Sequence, residues 1–231
     1  MLILALDTTT RAGSVAVTEN EHVITVLEGD GSRTHGERLP AEIATALERA
    51  GVTRQQVDLL AVAAGPGGFT GLRIGLAVMQ GLAMTLRKPV AGVSTLDALA
   101  AQVSGADVDV IVPWMDAQRG DVFATIVEHG SLHVVEPPVA EHPSVVLEQW
   151  RPMLQQRRVM FIGDAVTRDG TLIEQAGNGQ WQMSTPAPLA PQIAALGLRL
   201  AREGLAGLPH ALTPIYVRRP DAVIDRDKRQ H

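Results

Sequence analysis

Ala63-Ala64-Gly65-Pro66-Gly67-Gly68-Phe69-Thr70-Gly71-Leu72-Arg73-Ile74-Gly75 stands between an apolar run, Leu59-Leu60-Ala61-Val62-Ala63, and a longer one that continues to Leu86. Four glycines and a proline within residues 65–71 rule out a regular element there. Glycine loses the most backbone entropy on ordering, and proline lacks a donor. Two readings are open: a cradle of backbone N–H groups for an anion at a helix N-terminus, or a tight strand-to-helix turn where side chains would clash. Neither common phosphate motif fits. No Lys follows at the P-loop position, and Gly65-x-Gly67 is followed at the third place by Thr70.

The turn opens into a helix expected from about residue 70 to 86, with Thr70 as its cap. Leu72, Ile74, Leu76, Val78, Met79, Leu82, Met84 and Leu86 leave almost no polar side, Arg73, Gln80 and Thr85 being the exceptions. A helix apolar nearly all round is covered on more than one side, here by a sheet and by a second helix or another chain. Gly71, Gly75 and Gly81 each cost about 1 kcal/mol relative to alanine inside a helix, which close helix–helix approach would explain. Upstream, Leu39, Ile43, Ala46, Leu47 and Ala50 form a stripe at helical spacing over about 37–50, closed by Gly51, with Pro40 in the first turn or at a kink.

At 231 residues and 45% hydrophobic, the chain can bury one large or two small cores. Aromatics are only 3%, so the core is aliphatic. A net charge of −5 gives no electrostatic case for holding nucleic acid alone. The lack of cysteine excludes disulfides and thiolate metal sites. The start, Met1 to Asp7, is too short and lacks the basic residues of a signal peptide, and no apolar run reaches the roughly 18 residues of a membrane helix. A soluble, cytoplasmic protein is expected.

Residues 1–6 read as a buried strand ending in Asp7, followed by a turn at 8–13 and strands at 14–18 and 22–28. The order returns later. Residues 108–115 run into Asp116, a turn at 117–120 precedes a strand at 121–128, and a tight turn at His129-Gly130 precedes a strand at 132–136. Such self-similarity indicates a duplicated unit. The division expected is a first lobe at 1–104, a second at 105–218 and a charged, disordered tail at 219–231. Smaller expectations are a strand at 89–93, a helix at 95–103 capped by Ser94 and a break at Pro137-Pro138. A short helix at 144–150, a strand at 158–162, a weak helix at 167–176, an amphipathic helix at 191–202 and an extended segment at 212–218 follow.

Two units of three antiparallel-connected strands followed by helices resemble the duplicated actin-like ATPase fold of sugar kinases, Hsp70 and acetate kinases. Ile3-Leu4-Ala5-Leu6-Asp7-Thr8-Thr9, the 65–75 stretch, Gly92-Val93-Ser94-Thr95-Leu96, Met115-Asp116-Ala117-Gln118-Arg119-Gly120 and Pro214-Ile215-Tyr216-Val217-Arg218 resemble the bacterial TsaB (YeaZ) family more closely, over most of the chain. This resemblance implies an α/β, duplicated actin-like (ASKHA, RNase H-like) fold, two lobes each with a mixed sheet flanked by helices. It also implies a non-catalytic subunit needed to make N6-threonylcarbamoyladenosine at adenosine 37 of tRNAs reading ANN codons. Its implied partners are the catalytic TsaD in a heterodimer, the ATPase TsaE, and a second copy through the same helical face, with tRNA reached only through the complex and no membrane. No cofactor is implied beyond weak ATP, ADP or Mg²⁺ at the junction with TsaD.

The chemistry of the residues bears on this separately. His129 and His133, four apart, straddle the expected hairpin turn and so do not share a helix face as metal ligands would. Kinase-like relatives of the fold place a glycine soon after each acidic residue, where Thr9 and Gln118 stand here and crowd a phosphate. Asp7, Thr8, Thr9 and Asp116 are the candidate vestigial nucleotide site, with Asp7 and Asp116 either orienting a Mg²⁺-bound water or hydrogen-bonding their own turns. No Ser/His/Asp or paired-Glu spacing supports a nucleophilic mechanism. The competing class is a nucleotide-dependent phosphotransferase or ATP-binding protein, and intrinsic nucleotide hydrolysis stays open. The partner face expected from the resemblance pairs Leu39, Glu42, Ile43 and Ala46 of the first helix with Gly71, Arg73, Gly75, Leu76, Met79, Gln80 and Ala83 of the second, in a four-helix packing. An acidic residue at Leu76 or Met79 is then expected to abolish binding of TsaD and self-association while the chain stays folded. The glycine stretch becomes the turn that launches the second helix towards another protein.

Overall fold

The computed structural model describes residues 1–218, and the tail expected from Arg219 lies outside them. β1 (Leu2–Asp7) pairs antiparallel with β2 (Ser14–Glu19), which pairs with β3 (His22–Glu28). After α1 (His35–Arg49) the chain returns as β4 (Leu59–Gly65), parallel to β1. α2 (Phe69–Leu86) leads to β5 (Val90–Ser94), parallel to β4, and then to α3 (Thr95–Ala100). The sheet order is β3-β2-β1-β4-β5.

The second half repeats this plan. β6 (Val110–Asp116), β7 (Val122–Glu128) and β8 (Val134–Glu141) form an antiparallel meander. α4 (Pro143–Leu154) precedes β9 (Val159–Ile162), parallel to β6, and α5 (Val166–Ala176) precedes β10 (Gln182–Ser184), parallel to β9. The order β8-β7-β6-β9-β10 is that of the first sheet, strand for strand. Among the described residues α6 (Ala190–Arg202) is the last α-helix, and a 3₁₀ turn at Pro209–Ala211 follows it. This is the duplicated actin-like α/β fold, and Asp7 and Asp116 end its two equivalent central strands.

Alternation along the strands decides which layer each helix joins. In β1, Leu4 and Leu6 join the cluster under α1 and α2, whereas Ile3 and Ala5 join a second cluster with α3 and α6. In β6, Val110, Val112 and Trp114 lie under α4 and α5, while Ile111 and Met115 meet the cluster that contains α3. That second cluster is shared by both sheets. α6, which follows the second sheet in sequence, rests on β1, β2, β4 and β5, and α3 reaches from β4 and β5 to β6 and β7. The 104/105 boundary thus divides the strands but not the helices that cover them.

Four local expectations are corrected. Pro137-Pro138 does not break the chain but lies inside β8, an edge strand, where proline's missing donor is tolerated. The helix expected at 95–103 ends at Ala100, because hydrogen bonds tighten from Ala101 N to Asp97 O into three-residue closures at Gln102 and Val103. Gly68, not Thr70, is the N-cap of α2, and Leu72 N–H donates to the Gly68 carbonyl. Finally, α2 at 18 residues is by length and composition apolar enough to cross a membrane, contrary to expectation, although one side of it is core.

Candidate partner face and inter-lobe cleft

Asp7 is buried at the end of β1. Its Oδ1 accepts from the Thr9 N–H at 2.7 Å and from Thr9 Oγ1 at 2.5 Å, and its Oδ2 accepts from Thr10 Oγ1 at 2.6 Å. Thr10 Oγ1 in turn accepts from the Gly13 N–H at 3.1 Å, which closes the turn on itself. Both oxygens of the carboxylate are engaged by their own turn, the Asx-type use of an aspartate. Asp116 does the same work less completely, accepting from the Gln118 N–H at 3.2 Å and from Gln118 Nε2 at 3.1 Å. Its remaining partner is a cation, Arg168 Nη1 at 2.6 Å. Arg168 also binds Asp169, and hydrogen bonds to Asp169 and then to Asp116 push the guanidinium pKa up. Gln118 and Arg119 hold φ of 65° and 55°, so the second turn is left-handed at two non-glycine residues.

Thr8 is buried beneath α2, and its Oγ1 has no hydrogen-bond partner among the described residues. A Cβ on Gly71 would run into the Thr8 carbonyl oxygen and crowd His35, and one on Gly75 would run into Thr8 Oγ1. These two glycines therefore admit the chain's own first turn. His35, half-buried at the start of α1, fills the slot between that turn and α2. Its Nε2 lies 3.1 Å from the Thr10 carbonyl, and Nδ1 faces Arg38. Arg38, fully inside, also donates to the Ala12 carbonyl and to Glu42 Oε1.

The expected partner face divides into three groups. Leu39, Ile43, Ala46, Leu76, Met79 and Ala83 bury their side chains in the first lobe's own core, and Gly75 is buried against Thr8. An acidic residue at Leu76 or Met79 would strike the core, and the expected folded but non-binding variant cannot come from those positions. Arg73 and Gln80 hold the chain's own C-terminal segment. Arg73 Nε donates to the Tyr216 hydroxyl at 3.3 Å, and Gln80 Nε2 donates to the carbonyls of Pro209 and Leu212. Glu42 pairs with Arg38, and Gly71 is half-buried against Thr8 and His35. Besides Phe69 and Arg73, α2 turns outward Thr70, Ala77, Gly81, Met84 and Thr85, with Ile74, Val78 and Leu82 half-exposed beside them. Met84 is 69% exposed.

His129 and His133 lie in the turn between β7 and β8, where Glu128 N–H donates to the His133 carbonyl. No group of three metal-ligating side chains occurs among the described residues. Sequence reasoning passed over Arg38, His35 and the holding of Tyr216 and Arg218. The only signal for the last two was their place in the Pro214–Arg218 match.

Residues 26–140 match the family of tRNA N6-adenosine threonylcarbamoyltransferase, TsaD. Over 226 residues the chain is 31% identical to the tRNA threonylcarbamoyladenosine biosynthesis protein TsaB of Bacillus subtilis, covering 96% of each. It is 30% identical to the protein of the same name from Escherichia coli, over 94% of this chain and 95% of that one. Among solved structures, YeaZ from Pseudomonas aeruginosa superposes with a TM-score of 0.75 at 24% identity, over 93% of this chain and 99% of that one.

Proposed function

The chain belongs to the TsaB (YeaZ) family, and on that premise we propose that it serves N6-threonylcarbamoyladenosine formation in tRNA as a non-catalytic partner of TsaD. The observation that carries this reading is the outer side of α2, where Ala77, Gly81 and Met84 are exposed and Ile74 and Val78 half-exposed along one apolar strip. Contiguous apolar surface of this kind marks a docking site. The match of residues 26–140 to the TsaD family favours a partner of like fold, whose equivalent helices would meet this strip. A second copy of the chain competes for the same face, and TsaE joins the pair. The turns also fit a partner role, since Asp7 spends both oxygens on its own turn and Asp116 is tied to Gln118 and Arg168. Threonylcarbamoyl transfer then belongs to TsaD, on adenosine 37 of tRNAs reading ANN codons.

Ala77→Glu and Met84→Glu place a charge on the strip without touching the core. Both variants are expected to unfold like the parent, to lose co-elution with TsaD, and to lower threonylcarbamoylation of tRNA in the reconstituted TsaB–TsaD–TsaE reaction at least about tenfold. Undiminished co-elution of both variants would remove the strip as the interface. A parent chain that neither binds TsaD nor supports the reaction would end the partner reading.

A further inference from the structure

Residues 209–218 run along one side of α2 and then cross to the second lobe. The first hold is Gln80, whose Nε2 donates to Pro209 O at 3.1 Å and to Leu212 O at 3.0 Å. The Ile215 N–H then donates to the Ala64 carbonyl at the end of β4, at 2.7 Å. The Tyr216 ring stacks on Phe69 with centroids 6.0 Å apart, and its hydroxyl accepts from Arg73, whose guanidinium lies 3.9 Å over the Phe69 ring. Val217 packs on the core shared by the two sheets. At the far end Arg218 donates from Nη1 to Asp121 Oδ2 at 2.8 Å and from Nη2 to the Ala117 carbonyl at 3.0 Å. One end of the segment is thus fixed on the glycine turn and α2, and the other on the turn that follows Asp116.

Gly65, the first glycine of the 65–71 turn, has φ of 113°, and a Cβ there would stand 2.5 Å from the Ile215 carbonyl oxygen. The residue type at Gly65 admits this segment. With the segment seated, the space between the two lobes' turns is a cavity of about 90 Å³, bordered by Gly67, Gly68, Phe69, Gln118 and Tyr216. Small-molecule sites run to about 300 Å³ or more.

We propose that residues 209–218 form a latch that holds the cleft between the two lobes shut, and that opening the cleft requires its release at Tyr216 and Arg218 together. The latch is held by separate side-chain contacts and the Ile215 bond, not by a run of strand pairing, so it can lift while both sheets stay intact. Loss of the grip at one end lowers the cost of leaving the other. The inference does not depend on the identity of any partner.

Amide hydrogen exchange on the full chain tests it, with Tyr216→Ala and Arg218→Ala made separately. The reporters are the Ile215 amide, bonded to Ala64 O, and the Asp121 amide, bonded to Gln118 O. A latch predicts crossed effects. Tyr216→Ala, which removes the stack on Phe69 and the hydrogen bond from Arg73, speeds Asp121 exchange at least about tenfold, and Arg218→Ala does the same to Ile215, while β4 and β6 amides keep their protection. Acceleration confined to the mutated end overturns the proposal, as do parent Ile215 and Asp121 amides that exchange at the unprotected rate. Tyr216→Phe, which keeps the stack on Phe69, replaces the alanine variant if strand protection falls.

Discussion

Arg38 Nη2 lies 2.8 Å from His35 Nδ1, and because a guanidinium only donates, that ring nitrogen is an acceptor. Nε2 therefore carries the proton and donates to the Thr10 carbonyl at 3.1 Å. Burial first, and then the Arg38 charge, hold the imidazole pKa below its ordinary 6.5, while Asp7 and Glu42 pull the other way. The neutral ring is what the slot between the first turn and α2 accepts.

A pH dependence of stability follows, with a definite sign. Well above 6.5 neither the folded nor the unfolded chain binds this proton, and the contribution of His35 is fully present. As pH falls below 6.5 the unfolded chain protonates first, so stability is lost progressively down to the depressed folded value. Urea unfolding from about pH 8 to about pH 5 should show this decline, and His35→Gln, which cannot charge, should flatten it. An unchanged slope in the variant would place the responsible proton elsewhere.

Two methionines on one helix should behave oppositely. Met79 is 0% exposed, and Met79→Ala is expected to cost about 2–5 kcal/mol of unfolding free energy through lost contacts and a cavity. Met84→Ala should stay within about 0.5 kcal/mol of the parent. Denaturant midpoints at constant slope measure both.

Gly75→Ala drives a methyl group into Thr8 Oγ1 and should cost about 1–3 kcal/mol by overpacking. Thr8→Ala in the same chain removes the obstructing hydroxyl, which bonds to nothing among the described residues, and should recover most of that loss. A double-mutant cycle reads the coupling directly. Additive effects would show that Gly75 is needed for another reason.

Gly81 sits in the exposed strip of α2, and a Cβ there meets nothing within 4 Å. Gly81→Ala should therefore stabilise the isolated chain by about 0.5–1 kcal/mol through helix propensity. If TsaD brings a helix against this strip, the same methyl group weakens the complex. Thermal unfolding and co-elution with TsaD, measured on one preparation, separate the two effects.

The duplication was legible because each half opens with an apolar run that ends in an acidic residue, Asp7 or Asp116, and continues as a meander. The inward side of α2 was not. With Ile74, Val78 and Leu82 as apolar as Leu72, Leu76 and Met79, the helical period carries no phase, and the stripe that the sequence offers to a partner is the one the core covers. The phase is set by Gly71 and Gly75, whose meaning depends on Thr8, more than sixty positions earlier in the chain. Arg73 and Gln80 were polar exceptions with two possible addressees, and their bonds to Tyr216 and Leu212 span a distance that no local pattern encodes. β10 was missed because its three residues are all exposed. β8 was cut short because Pro137-Pro138 reads as a break until the strand is known to lie at an edge.

The placement of α3 and α6 decides how the molecule can be divided. Each half of the chain supplies a wall of the other's building: α6 roofs the first sheet, and α3 leans on the second. Severed at 104/105, each fragment would bare a flank of alanine, valine and isoleucine to water and would need its sibling to hide it. The two repeats are thus no longer tenants that can be evicted separately. The chain should melt in a single cooperative step, and its halves, expressed apart, should aggregate alone but recombine when mixed.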